Sequence, residues 1–126
     1  MAVHKLAAVV TQSMLDDQKT IVHWSAQDST GAATSFPTGA VISNAITPPD
    51  PSATLDTTTD PTGMNVGVIG VKKSAGGTGG TPHVVGTFTN ADGSVATGEV
   101  DFTITIDPLE LDVASLGATV DPPVAQ

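Results

Sequence analysis

The stretch Val84–Pro108, VVGTFTNADGSVATGEVDFTITIDP, decides the fold of this chain. In its second half, apolar and polar residues alternate from Val100 to Asp107. Side chains of a β-strand point alternately to its two faces, so this alternation predicts a strand with one buried face. The preceding run, Val84–Asn90, is rich in β-branched and aromatic residues, and Asn90-Ala91-Asp92-Gly93 supplies a turn that tolerates positive φ. We therefore predict a β-hairpin that ends at Pro108, which cannot donate to a sheet.

Shorter extended runs precede this hairpin, and turn residues separate them. The segment Met14–Gln18 predicts a turn or a short helical turn, with Ser13 as its N-cap. The glycine-rich segment Ser74–Thr81 predicts a mobile loop between strands, because a phosphate-binding loop needs a helix after it. The predicted strands are Val3–Thr11, Thr20–Ala26, Ala40–Ile46, Ala53–Thr59 and Met64–Lys73.

No sustained helical periodicity occurs, and short strands with frequent turns predict an all-β domain. We expect an immunoglobulin-like β-sandwich of about seven strands over residues 1–108, with a barrel as the alternative architecture. Trp24 is predicted at the centre of the core, whereas stacking on a sugar or base would need an exposed ring. The predicted core residues are Val22, Trp24, Val66, Val68, Phe88, Val100, Phe102, Ile104 and Ile106.

The charge balance is strongly acidic, with four lysines, no arginine, 13 acidic residues and a net charge of −9. Nucleic-acid binding requires clustered cations, and the only basic pair is Lys72-Lys73. The composition therefore argues against binding to nucleic acid or to an anionic membrane. Two interpretations of the acidic surface stay open: it keeps the protein soluble, or it meets a basic partner.

The residue types that carry chemistry are sparse. The chain has no cysteine, so disulfides and thiolate metal sites are excluded. His4, His23 and His83 lack the spacing of a metal site, and no local signature of a hydrolase is present. Asn90-Ala91-Asp92-Gly93 carries only a fragment of a calcium loop. We expect no catalytic residue, no cofactor and no metal site.

Two terminal segments bear on location and assembly. The N-terminal MAVHKLAAVV lacks the long apolar run of a secretory signal, so we expect the protein to stay where it is made until it joins a larger assembly. Residues 109–126 form a C-terminal extension whose first half alternates apolar and acidic residues. It predicts an extra strand that pairs either with this domain's own edge or with a neighbouring subunit. The predicted docking residues are Leu109, Leu111, Val113 and Leu116.

Three stretches together resemble the bacterial immunoglobulin-like (group 2) domain: Thr20–Ala26 with its tryptophan, Met64–Val71, and His83–Ile106. The tail Leu109–Gln126 is similar to the ends of small immunoglobulin-like proteins encoded among the head and tail genes of tailed bacteriophages. The chain departs from the family pattern at the proline-rich Ile46–Leu55 and in its longer glycine loop.

The resemblance implies a non-enzymatic virion structural protein, most simply a decoration or cement protein on the outer surface of a bacteriophage head. Its partner would be the major capsid protein or another virion protein, with self-association into a small oligomer as a further expectation. It would be found in the virion and assembled in the host cytoplasm. The alternatives are a tail or fibre module, or a bacterial surface adhesion domain, that weakly binds cell-surface carbohydrate.

Overall fold

In a computed structural model that describes residues 2–108, the regular structure consists of eleven short β-strands and one 3-10 turn, Lys73–Ala75. No α-helix lies within this range, although its last residue, Pro108, is helical. The extension 109–126 and its predicted docking residues lie outside the described residues. The strands are β1 Lys5–Ala7, β2 Ser13–Leu15, β3 Lys19–His23, β4 Ser25–Gln27, β5 Ala33–Thr34, β6 Ser43–Ile46, β7 Ala53–Asp56, β8 Asn65–Gly70, β9 His83–Thr89, β10 Val95–Asp101 and β11 Thr103–Thr105.

The strands form several small sheets. Three are antiparallel and three-stranded, with orders β1-β4-β5, β3-β8-β7 and β10-β9-β6. The fourth is a two-stranded parallel pair, β11-β2. The all-β prediction is thus confirmed.

The hairpin predicted from Val84–Pro108 is present. Strands β9 and β10 pair over seven residues, from Val95 opposite Thr89 to Asp101 opposite His83. The turn closes with Asn90 N–H donating to the Ser94 carbonyl at 2.8 Å, and Gly93 adopts φ 88°. Burial alternates along β10 and β11 as the sequence predicts. The strand nevertheless changes partner at Phe102, from β9 to β2.

Eleven strands occur in place of the expected seven because two predicted strands divide where they change partner, and two short strands, β2 and β5, lie outside the predicted ones. The run predicted as Thr20–Ala26 also divides, because β3 pairs with β8 whereas β4 pairs with β1 and β5. Within the predicted Val3–Thr11, only Lys5–Ala7 is a strand. The turn predicted over Met14–Gln18 is present but shorter: it lies at Asp16 and Asp17 and closes with Gln18 N–H donating to the Leu15 carbonyl at 3.1 Å. The predicted N-cap at Ser13 is wrong, because Ser13–Leu15 is a strand that lies parallel to β11. In the glycine segment, Gly80 forms an isolated bridge with Ile104.

One cluster of aliphatic and aromatic side chains forms the core of the described residues. Eight of the nine predicted core residues are buried, from Val22 to Ile104 in chain order. Ile106 is only half-buried, because it lies beyond Thr105, the last residue paired with β2. The cluster also includes Val3, Leu6 and Met14 from the N-terminal segment, so this segment contributes to the core as well as to two sheets.

Trp24 lies at the centre of this core and is only 6% exposed. Its indole packs on a pair of glycines, Gly86 and Gly98, that face each other directly across the β9–β10 hairpin. A Cβ atom on Gly86 would lie 2.6 Å from Trp24 Cε2, and one on Gly98 would lie 2.5 Å from Trp24 Cζ3. Because neither glycine has a side chain, the backbone of β9 and β10 can lie directly against the indole ring. The indole Nε1 donates to Asn44 Oδ1 on β6 at 2.7 Å.

Gly98→Ala should destabilise the protein by roughly 2–3 kcal/mol, a magnitude typical of overpacking a core. The added methyl would meet the Trp24 ring and also the Leu6 backbone carbonyl at 2.8 Å, and the backbone cannot move aside cheaply. Urea denaturation measures the change.

The matched control is Gly67→Ala in β8, where the nearest atom is the flexible end of the Lys19 side chain at 2.8 Å. Its free energy of unfolding should change by less than about 1 kcal/mol. Equal effects of the two substitutions would contradict the packing of Trp24 against Gly98.

Candidate functional site

The β10-β9-β6 sheet has more paired residues than the other sheets of residues 2–108, and its outward side is the candidate surface. Cross-strand registers place Ser43 beside Thr87, and Thr87 beside Thr97. The next row contains Ala45, Val85 and Glu99. We call this surface the outer sheet face; it comprises Val41, Ser43, Ala45, Val85, Thr87, Thr89, Val95, Thr97 and Glu99.

Most of the outer sheet face is uncharged and made of small or β-branched side chains. Val41 is 60% exposed and Val95 is 55% exposed, although both are apolar. A depression of about 560 Å³ lies at the end of the face nearest the hairpin turn, and its lining includes Val41, Thr87 and Thr89. On a chain with net charge −9, a largely uncharged face with two exposed valines is suited to contact another protein.

The opposite end of the same face carries an ion pair that the sequence prediction missed. His83 Nδ1 contacts Asp101 Oδ1 across the hairpin, and His83 Nε2 lies 3.6 Å from Glu99 Oε2. The hairpin register, counted outward from the turn at Asn90–Ser94, places His83 opposite Asp101. The contact between these two residues could therefore have been predicted from the sequence. The pair joins β9 to β10 at the end far from the turn.

The pKa of His83 is raised, chiefly by its hydrogen bond to Asp101 and further by the negative charges of Asp101 and Glu99. A histidine whose pKa is higher in the folded state stabilises the fold below its unfolded pKa of about 6.5. That contribution is lost as the pH rises through the folded pKa. Because the two carboxylates are largely exposed, solvent screens the interaction and the effect on stability is small.

Asp101→Asn should lower the pKa of His83 towards the ordinary histidine value, because it removes the nearest negative charge and leaves only a neutral amide oxygen as acceptor. An NMR titration of the His83 ring protons measures this shift. Glu99→Gln serves as the matched control and should lower the pKa by less. A larger effect of Glu99→Gln than of Asp101→Asn would contradict the geometry.

Four acidic turns share one local arrangement. In each, an aspartate Oδ1 accepts hydrogen bonds from the backbone N–H and the hydroxyl of the residue two positions later. In the first such turn, Thr30 donates to Asp28 from its backbone at 2.9 Å and from its hydroxyl at 2.6 Å. The same pattern occurs at Asp56–Thr58, Asp60–Thr62 and Asp92–Ser94.

These local bonds lower the pKa of each of the four aspartates, the hydroxyl donor being the largest cause. Each carboxylate thus has hydrogen-bond donors within its own turn. In residues 2–108, no group of three or more histidine and acidic side chains is arranged to hold a metal ion. Asp92 in the hairpin turn accordingly acts as a turn residue.

Asp16 is the most deeply buried charged residue of those described, with no exposed surface. Its Oδ1 accepts from Asp107 N–H at 3.0 Å and its Oδ2 accepts from Lys73 N–H at 2.9 Å. It therefore holds the ends of β2 and β11 to the 3-10 turn. The Asp17 carboxyl hydrogen-bonds with that of Asp107, and this contact raises the pKa of Asp17. The sequence prediction placed Asp16 in a turn, where it does lie, but did not predict its burial or this contact.

Trp24 is not available for stacking on a ligand, because its ring is enclosed by β9 and β10. The other aromatic rings are also engaged: Phe36 and Phe88 pack edge to face with centroids 5.7 Å apart, and Phe102 is buried. His23 pairs with Asn65 on the neighbouring strand β8. The structure thus does not bring the three histidines together.

No helix within residues 2–108 is long and apolar enough to cross a membrane. Compared with known proteins, the chain matches no family model and no curated protein.

Proposed function

We propose that the chain is an immunoglobulin-like β-sandwich that acts as a non-enzymatic structural protein of a virion. The pairings support the fold. One layer would contain β1, then the continuous run β3–β4, then β8 and β7, which corresponds to the immunoglobulin order A-B-E-D. The second layer would contain β6, β9 and the run β10–β11, which corresponds to C-F-G. Strand β2 would extend that second layer by its parallel pairing with β11.

The proposed role is decoration of the outer surface of a bacteriophage head, with the major capsid protein as partner. The observation that carries it is the largely uncharged outer sheet face with its exposed Val41 and Val95 on a strongly acidic chain. Such a face would contact a repeating surface in the same way at each position, and the acidic remainder would keep neighbouring copies soluble and apart. Each copy would bury modest area, and oligomeric copies would gain by multivalency.

The alternative of carbohydrate adhesion has less support. Sugar rings commonly stack on exposed aromatic side chains, and the chain has one tryptophan and no tyrosine. Trp24, Phe88 and Phe102 are all buried. The outer sheet face instead presents valine, threonine and alanine, a surface suited to protein contact.

Co-sedimentation with purified heads that lack this protein tests the role. The native chain should sediment with the heads, and Val41→Asp and Val95→Asp should each weaken binding by at least about tenfold, because each places a charge within the proposed contact. The matched control is Val9→Asp, which alters a valine that is 96% exposed but lies outside the outer sheet face.

If Val41→Asp and Val95→Asp leave binding to the heads unchanged, or if Val9→Asp weakens it equally, the outer sheet face is not the contact surface. A native chain that never sediments with the heads would contradict head decoration itself.

A further inference from the structure

Strand β10 has a partner strand on only one side. It pairs with β9 along its whole length, and within residues 2–108 no strand pairs with its other edge. Strand β1 pairs with β4 instead. Among the described residues, the N-terminal segment hydrogen-bonds to β10 only at its last residue, where Gln12 Nε2 donates to the Asp101 carbonyl at 3.0 Å. An open strand edge is a template for pairing with another extended segment.

A hydrogen bond just beyond β10 shows which of its residues face the open edge. Phe102 N–H donates to the Pro82 carbonyl at 3.0 Å. In an antiparallel pair, residues alternate between bonding to the partner and facing away from it. Even-numbered residues of β10 therefore bond to β9, and the backbone groups of Val95, Thr97 and Glu99 point to the open edge. No hydrogen bond within residues 2–108 engages the N–H groups of these three.

Two depressions lie along this edge. The first has a volume of about 530 Å³, and its lining includes Lys5, Ala7, Thr97 and Glu99. The second has a volume of about 220 Å³, and its lining includes Val9 and Glu99. The N-terminal segment contributes mainly alanine and valine to the two linings. There is thus room beside β10 for an extended segment whose inward side chains are small and apolar.

The outward side of this edge carries negative charge. Glu99 and Asp101 both extend from the outer sheet side of β10 and are exposed. His83 contacts both carboxylates, and when it is protonated it balances one of the two charges. Because opposite charges on adjacent strands attract, a cation on an added strand would be stabilised here. The β10 strand of a second copy would instead bring two more carboxylates to the same side, and like charges on adjacent strands repel.

We propose that this edge of β10 binds an extended basic segment of the protein to which the chain docks, as an added antiparallel strand. Lysine or arginine at two alternate positions of the segment would lie beside Glu99 and Asp101, and β-branched residues would lie beside Val95 and Thr97. The small residues between them would face the N-terminal segment. The identity of the partner rests on the proposed function, whereas the mode of binding rests on the edge itself.

Amide hydrogen exchange of the full chain, followed by NMR, tests this proposal with the synthetic peptide KVKVTVV. In the free chain, the N–H groups of Val95, Thr97 and Glu99 should exchange rapidly, and saturating peptide should slow their exchange at least about tenfold. The N–H groups of Ala96 and Gly98, which bond to β9, should stay protected in both states. The acidic peptide EVEVTVV is the matched control and should leave exchange unchanged.

Thr97→Pro should abolish binding of KVKVTVV. It removes the outward N–H at the centre of the edge, and the ladder to β9 does not use that N–H, so the fold should persist. Thr97→Val alters the same side chain but keeps the N–H, and it should bind the peptide as the native chain does. If KVKVTVV leaves the three amides unprotected, or if Thr97→Pro binds it as well as Thr97→Val, the proposal is overturned.

Protection of these amides in the free chain would also overturn the proposal. Protection at every protein concentration would show that a segment of the same chain covers the edge, and protection only at high concentration would show that a second copy does.

Co-sedimentation with heads separates this inference from the proposed function. If Thr97→Pro sediments with the heads as well as the native chain and Thr97→Val do, head decoration stands and binding through the β10 edge is overturned. If the native chain never sediments with the heads, head decoration fails, and the exchange experiment with KVKVTVV still decides whether the edge binds a basic strand.

Discussion

The packing of Trp24 against a pair of glycines is the constraint on which the rest of the fold depends. The indole is the largest side chain of the core, and its position between β4, β9 and β10 requires backbone without side chains at Gly86 and Gly98. Its N–H bonds to Asn44, so the ring also sets the position of β6. Asn44 in turn donates to the Gly63 carbonyl at 2.9 Å, which links this ring to the turn before β8. A single buried residue thus positions strands that are distant in sequence.

The hairpin could be predicted from the sequence because its determinants are local. Alternation from Val100 to Ile104 and an Asp-Gly turn specify extended strands and their register without reference to the rest of the chain. Burial of Val22, Trp24, Val66 and Val68 followed from the same alternation. The register also fixes the contact of His83 with Asp101.

Other features depend on remote partners and were not predicted. Ser13–Leu15 is extended because β11, about 90 residues later, pairs with it, and three residues carry no periodic signal of their own. Asp16 is buried because the N–H groups of Lys73 and Asp107 converge on its carboxylate. Those two donors come from segments far apart in sequence. The outer sheet face, the candidate site, likewise appears only when β6 is placed beside β9, since Val41 and Val95 belong to different predicted strands.

The proposed function follows from how this scaffold distributes its side chains. Aromatic rings and the most buried carboxylate hold the fold together, and four acidic turns satisfy their own carboxylates. The outer sheet face, which is largely uncharged and exposes Val41 and Val95, is the surface through which we propose that the chain contacts a partner.

The fluorescence of Trp24 tests the central claim most directly, because the chain contains a single tryptophan. The account predicts blue-shifted emission that acrylamide quenches poorly in the native protein. On denaturation, this emission should shift to the solvent value in one transition that coincides with the loss of the β-sheet signal in circular dichroism. Red-shifted, readily quenched emission from the native protein would contradict a core built around Trp24.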